Sequence, residues 1–220
     1  MEVLIFDFDG PINNLIKTKF AAIEEVSHQL NLSFSKIVIW EIINYIDQIY
    51  ETNKIYDYEE LIKKSLKKLQ KRQIIEILDE QINIFSNAFL NIFEQKQIIS
   101  NSFLDIIKSI KNNYPQIKIC IYTSQKEIVV NNIFKNSKIE KAIFDRIYCS
   151  EYFDEPKPSI LNLKKICDEL NVTPNNVVLV GDNVAIDLAP ASYLGIKTIL
   201  INNFVDKQIS SLSELTTLLK

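Results

Sequence analysis

Glycine is scarce in this chain. Average usage of roughly 7% would place about fifteen in a protein of this length, and the 220 residues carry three: Gly10, Gly181 and Gly195. Glycine costs backbone entropy and is kept where φ is positive or another group comes close, so these positions mark special backbone. Cysteine is equally sparse. Cys120, Cys149 and Cys167 are far apart with no CxxC pair, which argues against a zinc site or disulfide frame and reads as buried thiols in a reducing compartment. The single histidine, His28, has no nearby cysteine or histidine that would make it a metal ligand. No run of 18 apolar residues is present, so no transmembrane helix is expected. Met1–Phe6 enters an apolar stretch with no basic lead, an expectation against a secretory leader. A net charge of −3 lacks the basic surface of a nucleic-acid binder. A soluble, cytoplasmic protein with neither nucleic acid nor membrane as partner is expected.

Hydrophobic residues make up 47% of the chain, ample for a buried core. Five short apolar runs stand out: Val3–Phe6, Lys118–Tyr122, Arg146–Cys149, Val177–Val180 and Thr198–Ile201. Each is too short for a helix and lacks clean alternation, the texture of strands buried on both faces. Between the later runs, Phe103, Ile106, Ile107 and Ile110 recur at helical spacing, as do Ile160, Leu163, Ile166 and Leu170. Alternating strands and helices predict an α/β fold, a Rossmann-like parallel sheet with helices on both faces. From about Leu15 to Asn91 the chain has no glycine or proline and is helical in pattern throughout. That interval is too long for a simple crossover and predicts an inserted all-α domain of four or so helices. The expected division is 1–14 with 93–220 for the core and 15–92 for the insert. Trp40, Tyr45, Tyr50, Tyr56 and Tyr58 crowd the insert and read mainly as packing. The run from Lys63 to Arg72 alternates with Leu66 and Leu69 and reads as a solvated helix face.

The chemistry gathers at strand ends, where open parallel sheets build their sites. The first run ends in Asp7-Phe8-Asp9-Gly10-Pro11, and a two-residue spacing on extended backbone points Asp7 and Asp9 to one side. The fourth ends in Gly181-Asp182-Asn183, with Asp187 beyond it near the start of a helix that Gly195 closes. Converging carboxylates raise one another's pKa or require a cation. Hard oxygen donors favour Mg²⁺, and Asp7 with Asp182 is the economical pair. The second run ends in Thr123-Ser124 before a helix expected near Gln125, where hydroxyls either cap the helix or bind phosphate. Lys157 lies between Pro156 and Pro158 just before another helix, pinned where it suits neutralising a phosphate.

Asp-x-Asp-Gly, a Thr/Ser strand end, a lysine before a helix and Gly-Asp-x-x-x-x-Asp thus appear in order, each at a predicted strand end. In this the chain resembles the haloacid dehalogenase superfamily, in the subfamily with a helical cap after the first strand, which includes phosphoglycolate phosphatases and β-phosphoglucomutases. The motifs cover about residues 1–14 and 100–205; the insert matches by position and helical character. The resemblance implies that Asp7 is the nucleophile and that Asp9 protonates the leaving group and then activates water. It implies phosphate binding by Thr123, Ser124, Lys157 and the Gly10 turn, and Mg²⁺ held by Asp7, the Asp9 carbonyl and Asp182. Asp187 and Asn183 would support the site, Asp187 through water or Lys157.

A carboxylate at position 9 also separates branches, because carbon–halogen cleavage needs no protonated leaving group. The expected activity is a Mg²⁺-dependent phosphatase acting on a small phosphorylated metabolite through an aspartyl-phosphate. The alternatives are a phosphomutase of the same family and a silent binding or regulatory module on the same fold. Pro11, Asn14 and Ser124 depart from the commoner Thr, acidic residue and Asn of the family, which bears on rate and substrate more than on reaction type.

Overall fold

The computed structural model describes residues 1–53 and 57–201; Tyr56, among the tyrosines read as packing, lies outside them. In chain order the elements are β1 (Val3–Phe6), α1 (Leu15–Gln29), α2 (Lys36–Asn53), α3 (Tyr58–Lys71), α4 (Asp79–Lys96), α5 (Asn101–Asn113), β2 (Lys118–Tyr122), α6 (Glu127–Ser137), β3 (Arg146–Tyr148), α7 (Ile160–Leu170), β4 (Val177–Gly181), α8 (Ala189–Tyr193) and β5 (Lys197–Leu200). Two compact units result, Met1–Asn14 with Ile98 onward and Leu15–Gln97. The second boundary follows from α4, which continues through Lys96.

The first unit is an α/β fold. Its five strands are all parallel, in the order β3-β2-β1-β4-β5. Residue parity explains the layers, since successive strand side chains point to opposite faces. Leu4 and Phe6 of β1 join Ile119 and Ile121 of β2 and Val178 and Val180 of β4 in one core with Phe103 and Ile107 of α5 and Val130 and Phe134 of α6. Val3 and Ile5 join Cys120, Val177 and Leu179 in a second core with Leu163 and Ile166 of α7 and Ala191 of α8. Every β1 residue is buried, as the unalternating sequence requires of a central parallel strand.

The second unit is all-helical around its own core. Ile23 and Val26 of α1, Ile42 and Ile46 of α2, Leu61 and Leu66 of α3, and Phe85, Phe89 and Phe93 of α4 are buried together. Phe89 and Phe93 stack with centroids 5.3 Å apart. The lysine run lies on the outer side of α3, where Lys63 and Lys64 pair with Glu59 and Glu60 one turn earlier. Tyr45 is buried in the core, whereas Trp40 is 41% exposed and packs against Phe20. Among the described residues no helix is long and apolar enough to cross a membrane, and all three cysteines are free and buried.

Candidate active site

The strand order reverses beside β1: β2 and β3 extend the sheet on one side, β4 and β5 on the other. Open α/β sheets bind ligands in the crevice at such a switch point, beyond the carboxyl ends of the strands. Asp7 follows β1 directly, and Asp182 follows β4 directly. The Asp7 N–H donates to the Val180 carbonyl at 2.8 Å, so the two strand ends are laced together where the carboxylates begin.

Phe8 anchors the loop that follows. It is fully buried and stacks on Phe134 of α6 at 6.2 Å, separating Asp7 from Asp9. The chain then turns tightly at Gly10, whose φ of 108° is unfavourable for any other residue. The Gly10 N–H donates to the Asn13 carbonyl at 2.8 Å, and the Asn13 N–H to the Phe8 carbonyl at 2.9 Å.

Lys157 joins the strand ends electrostatically. Its Nζ donates to Asp7 Oδ1 at 2.8 Å, to Asp187 Oδ1 at 2.9 Å and to the Tyr122 carbonyl at 2.8 Å. Its side chain is 3% exposed and lies 4.2 Å from the Tyr122 ring centre. Burial disfavours the ammonium, yet the Asp7 and Asp187 carboxylates outweigh it and hold Lys157 above the ordinary lysine value. Burial likewise pushes the Asp7 carboxyl well above the ordinary aspartate value; Lys157 opposes this, and Asp187 and Asp9 add to it.

The lysine loop is itself fixed by Asn162 of α7. That buried amide donates to the Glu155 carbonyl at 2.9 Å and to the Tyr122 hydroxyl at 3.1 Å. The helix begins at Ile160 with Ser159 as its cap. Ser159 accepts the Asn162 N–H and donates to Glu155, so cap and loop are one structure.

Asp187 lies near the start of α8, as the sequence suggested, in a five-residue π-helical turn, Val184–Leu188, that leads into it. Pro190 stands at the start of α8, where its missing N–H is tolerated. The Asn183 side chain caps the turn, accepting from the Ala185 and Ile186 N–H groups at 3.0 and 3.1 Å. Carboxylate oxygens of Asp7, Asp182 and Asp187 all lie within 4.8 Å of one another. Such hard oxygen donors, two of them bound to the Lys157 ammonium, fit a small divalent cation such as Mg²⁺.

Thr123 and Ser124 follow β2, but they do not cap the next helix. Helix α6 begins at Glu127, two residues beyond Gln125, and its cap residue Lys126 makes no side-chain cap bond. The buried Thr123 hydroxyl instead accepts the Gln125 N–H at 3.0 Å. The helix end is satisfied by the Glu151 carboxylate, which accepts the Glu127 N–H at 3.1 and 3.2 Å. Ser124 is exposed. Asp9 is linked to Gln125, whose Nε2 donates to Asp9 Oδ2 at 2.6 Å. Neither Gln125 nor Asn162 was singled out from the sequence. No local pattern marks an amide whose partners lie 116 and 40 residues away.

The sequence profile of the haloacid dehalogenase-like hydrolases matches residues 4–201. The chain belongs to that family. By sequence, no curated protein matches it. Several solved structures share the fold. A predicted phosphoglycolate phosphatase from Haemophilus somnus 129pt is 14% identical with a TM-score of 0.66, over 100% of this chain and 98% of that one. A proposed β-phosphoglucomutase from Thermotoga maritima is 16% identical with a TM-score of 0.69, again over 100% and 98%. The hydrolase candidate YfnB from Bacillus subtilis, bound to magnesium, is 16% identical with a TM-score of 0.69, over 91% and 88%. Dehalogenases share the fold as well.

Proposed function

We propose that this haloacid dehalogenase-like hydrolase is a Mg²⁺-dependent phosphatase of small phosphomonoesters, working through an aspartyl-phosphate on Asp7. The observation that carries the reading is the pair of carboxylates on β1's exit loop: Asp7 bound to the Lys157 ammonium and, two residues on, Asp9 bound to the Gln125 amide. Cleaving a carbon–halogen bond needs no second carboxylate, because halide leaves without a proton. An alkoxide does need one.

In this reading Asp7 attacks phosphorus. The bond from an Asp7 carboxylate oxygen to phosphorus forms as the ester P–O bond breaks, and Asp9 gives its proton to the departing alkoxide. The Asp9 carboxylate then takes a proton from water as the water oxygen bonds to phosphorus and the Asp7–phosphorus bond breaks. Lys157 lies against Asp7 and offsets charge on the transferring group, and Thr123, Ser124 and the Gly10 turn bind its oxygens. Asp7, Asp182 and the Asp9 carbonyl hold Mg²⁺, with Asp187 and Asn183 supporting them; the ion supplies positive charge for the phosphoryl group. The helical insert after β1 is a cap that selects the substrate, and the three free, buried thiols suit the reducing cytoplasm.

The test is release of inorganic phosphate from p-nitrophenyl phosphate with and without Mg²⁺. Activity that requires the metal and disappears in Asp7→Asn is expected. Activity retained in Asp7→Asn, or halide release from a 2-haloacid in place of phosphate release, would overturn the reading. An isomeric phosphate formed from a sugar phosphate, without stoichiometric inorganic phosphate, would identify a phosphomutase.

A further inference from the structure

Gln125 stands two residues beyond Thr123, in the loop between β2 and α6, and both of its backbone polar groups are tied down. Its N–H donates to Thr123 Oγ1 at 3.0 Å, and its carbonyl accepts from the Ser150 N–H at 3.0 Å. A backbone held at both groups aims its side chain reproducibly. That side chain ends on Asp9, with Nε2 2.6 Å from Oδ2. The other oxygen, Oδ1, is 3.5 Å from Asn13 Nδ2, at the outer limit of a hydrogen bond. Oδ2 thus receives a short amide hydrogen bond from a residue whose backbone is held on both sides.

We propose that Gln125 is a positioning residue for Asp9: its amide binds Oδ2 and fixes the plane of the carboxyl group that delivers the proton to the leaving alkoxide. The proposal rests on the phosphatase reading above. It assigns Gln125 no contact with substrate or with the transferring phosphoryl group. Loss of the amide removes this restraint on the Asp9 side chain and lowers the population of the productive rotamer.

Leaving-group chemistry isolates this role. Nitrophenolate departs without a proton, whereas an alkoxide requires one, so only the alkyl ester depends on Asp9 during transfer to Asp7. The experiment compares kcat/KM, which covers the steps through that transfer, for p-nitrophenyl phosphate and ethyl phosphate, with Mg²⁺, in the wild type, Gln125→Glu and Gln125→Ala. Glutamate preserves the side-chain shape and removes the donor; alanine removes both. Whichever variant retains the wild-type circular dichroism carries the comparison. The loss on the alkyl ester is expected to exceed that on the aryl ester by on the order of tenfold or more. Equal losses on both esters, or none, would overturn the positioning role while leaving the phosphatase reading intact. If the wild type releases no phosphate from either ester, the phosphatase reading fails and the proposal with it.

Discussion

A single methyl group at Gly181 would reach the heart of the site. A Cβ there would lie 2.7 Å from the Asp187 Cβ and 2.8 Å from its Oδ2, closer than such atoms pack. The requirement at this glycine is space. Gly181→Ala is therefore expected to push Asp187 off Lys157 while leaving the sheet folded, with activity falling on the order of 10²-fold; phosphate release beside an unchanged circular dichroism spectrum is the check. Lys157 tests the opposite term. It bridges Asp7 and Asp187 from a side chain that is 3% exposed, and Lys157→Met leaves those carboxylates without their ammonium. A loss of about 3–5 kcal/mol at pH 7 is expected. The deficit shrinks as pH falls, because burial and the neighbouring carboxylates raise the folded-state Asp7 value, so the folded variant takes up a proton before the unfolded chain does. Urea titrations at pH 5 and pH 7 measure both the loss and its sign.

Among the elements, the caps show how far local sequence reaches. Ser100 precedes α5 and accepts the Phe103 N–H at 3.2 Å, a cap legible from a serine just ahead of an apolar-periodic run. Ser100→Ala is expected to cost about 1 kcal/mol, read as a lower urea midpoint with phosphate release unchanged. The start of α6 was not legible in the same way, because its N-terminal N–H is satisfied by Glu151, 24 residues further on. Thr123 could be mistaken for its cap because a hydroxyl ahead of a helical run is the usual signal. Here that hydroxyl closes a local turn onto Gln125. The same limit applies to Asp187, whose π-helical turn depends on Asn183 and on the space at Gly181.

At the scale of the whole molecule, the chain builds separate cores in its two units. The helical unit encloses its own aromatic cluster, and an isolated Leu15–Gln97 segment is expected to fold. Helical circular dichroism with cooperative thermal loss would bear this out, and a non-cooperative signal would refute it. Burial of the thiols gives a measurement on the other unit. It pushes Cys120 up to about 12 and Cys149 up to about 11, so iodoacetamide at pH 8 is expected to leave the folded protein unmodified and to alkylate all three cysteines in guanidinium, by intact mass. Raised thiol values also set a sign. Above the unfolded thiol value of about 8.5 the unfolded chain loses protons that the folded chain keeps, so stability falls as pH rises from there.

The amino-acid sequence by itself determined which segments become strands, where the glycine-free helical insert lies and which carboxylates stand at strand ends. These are local properties, carried by apolar period, by turn residues and by motif spacing within a few positions. Tertiary structure decided the rest. The order β3-β2-β1-β4-β5 brings the ends of β1 and β4 together, and parallel strands separated by helices do not announce their neighbours in sequence. Only that order brings Asp7, Asp182 and Asp187 within reach of one another and lets Lys157 bridge two of them. The amides of Gln125 and Asn162 follow the same rule, since a hydrogen bond between residues far apart in the chain exists only once packing has made them neighbours.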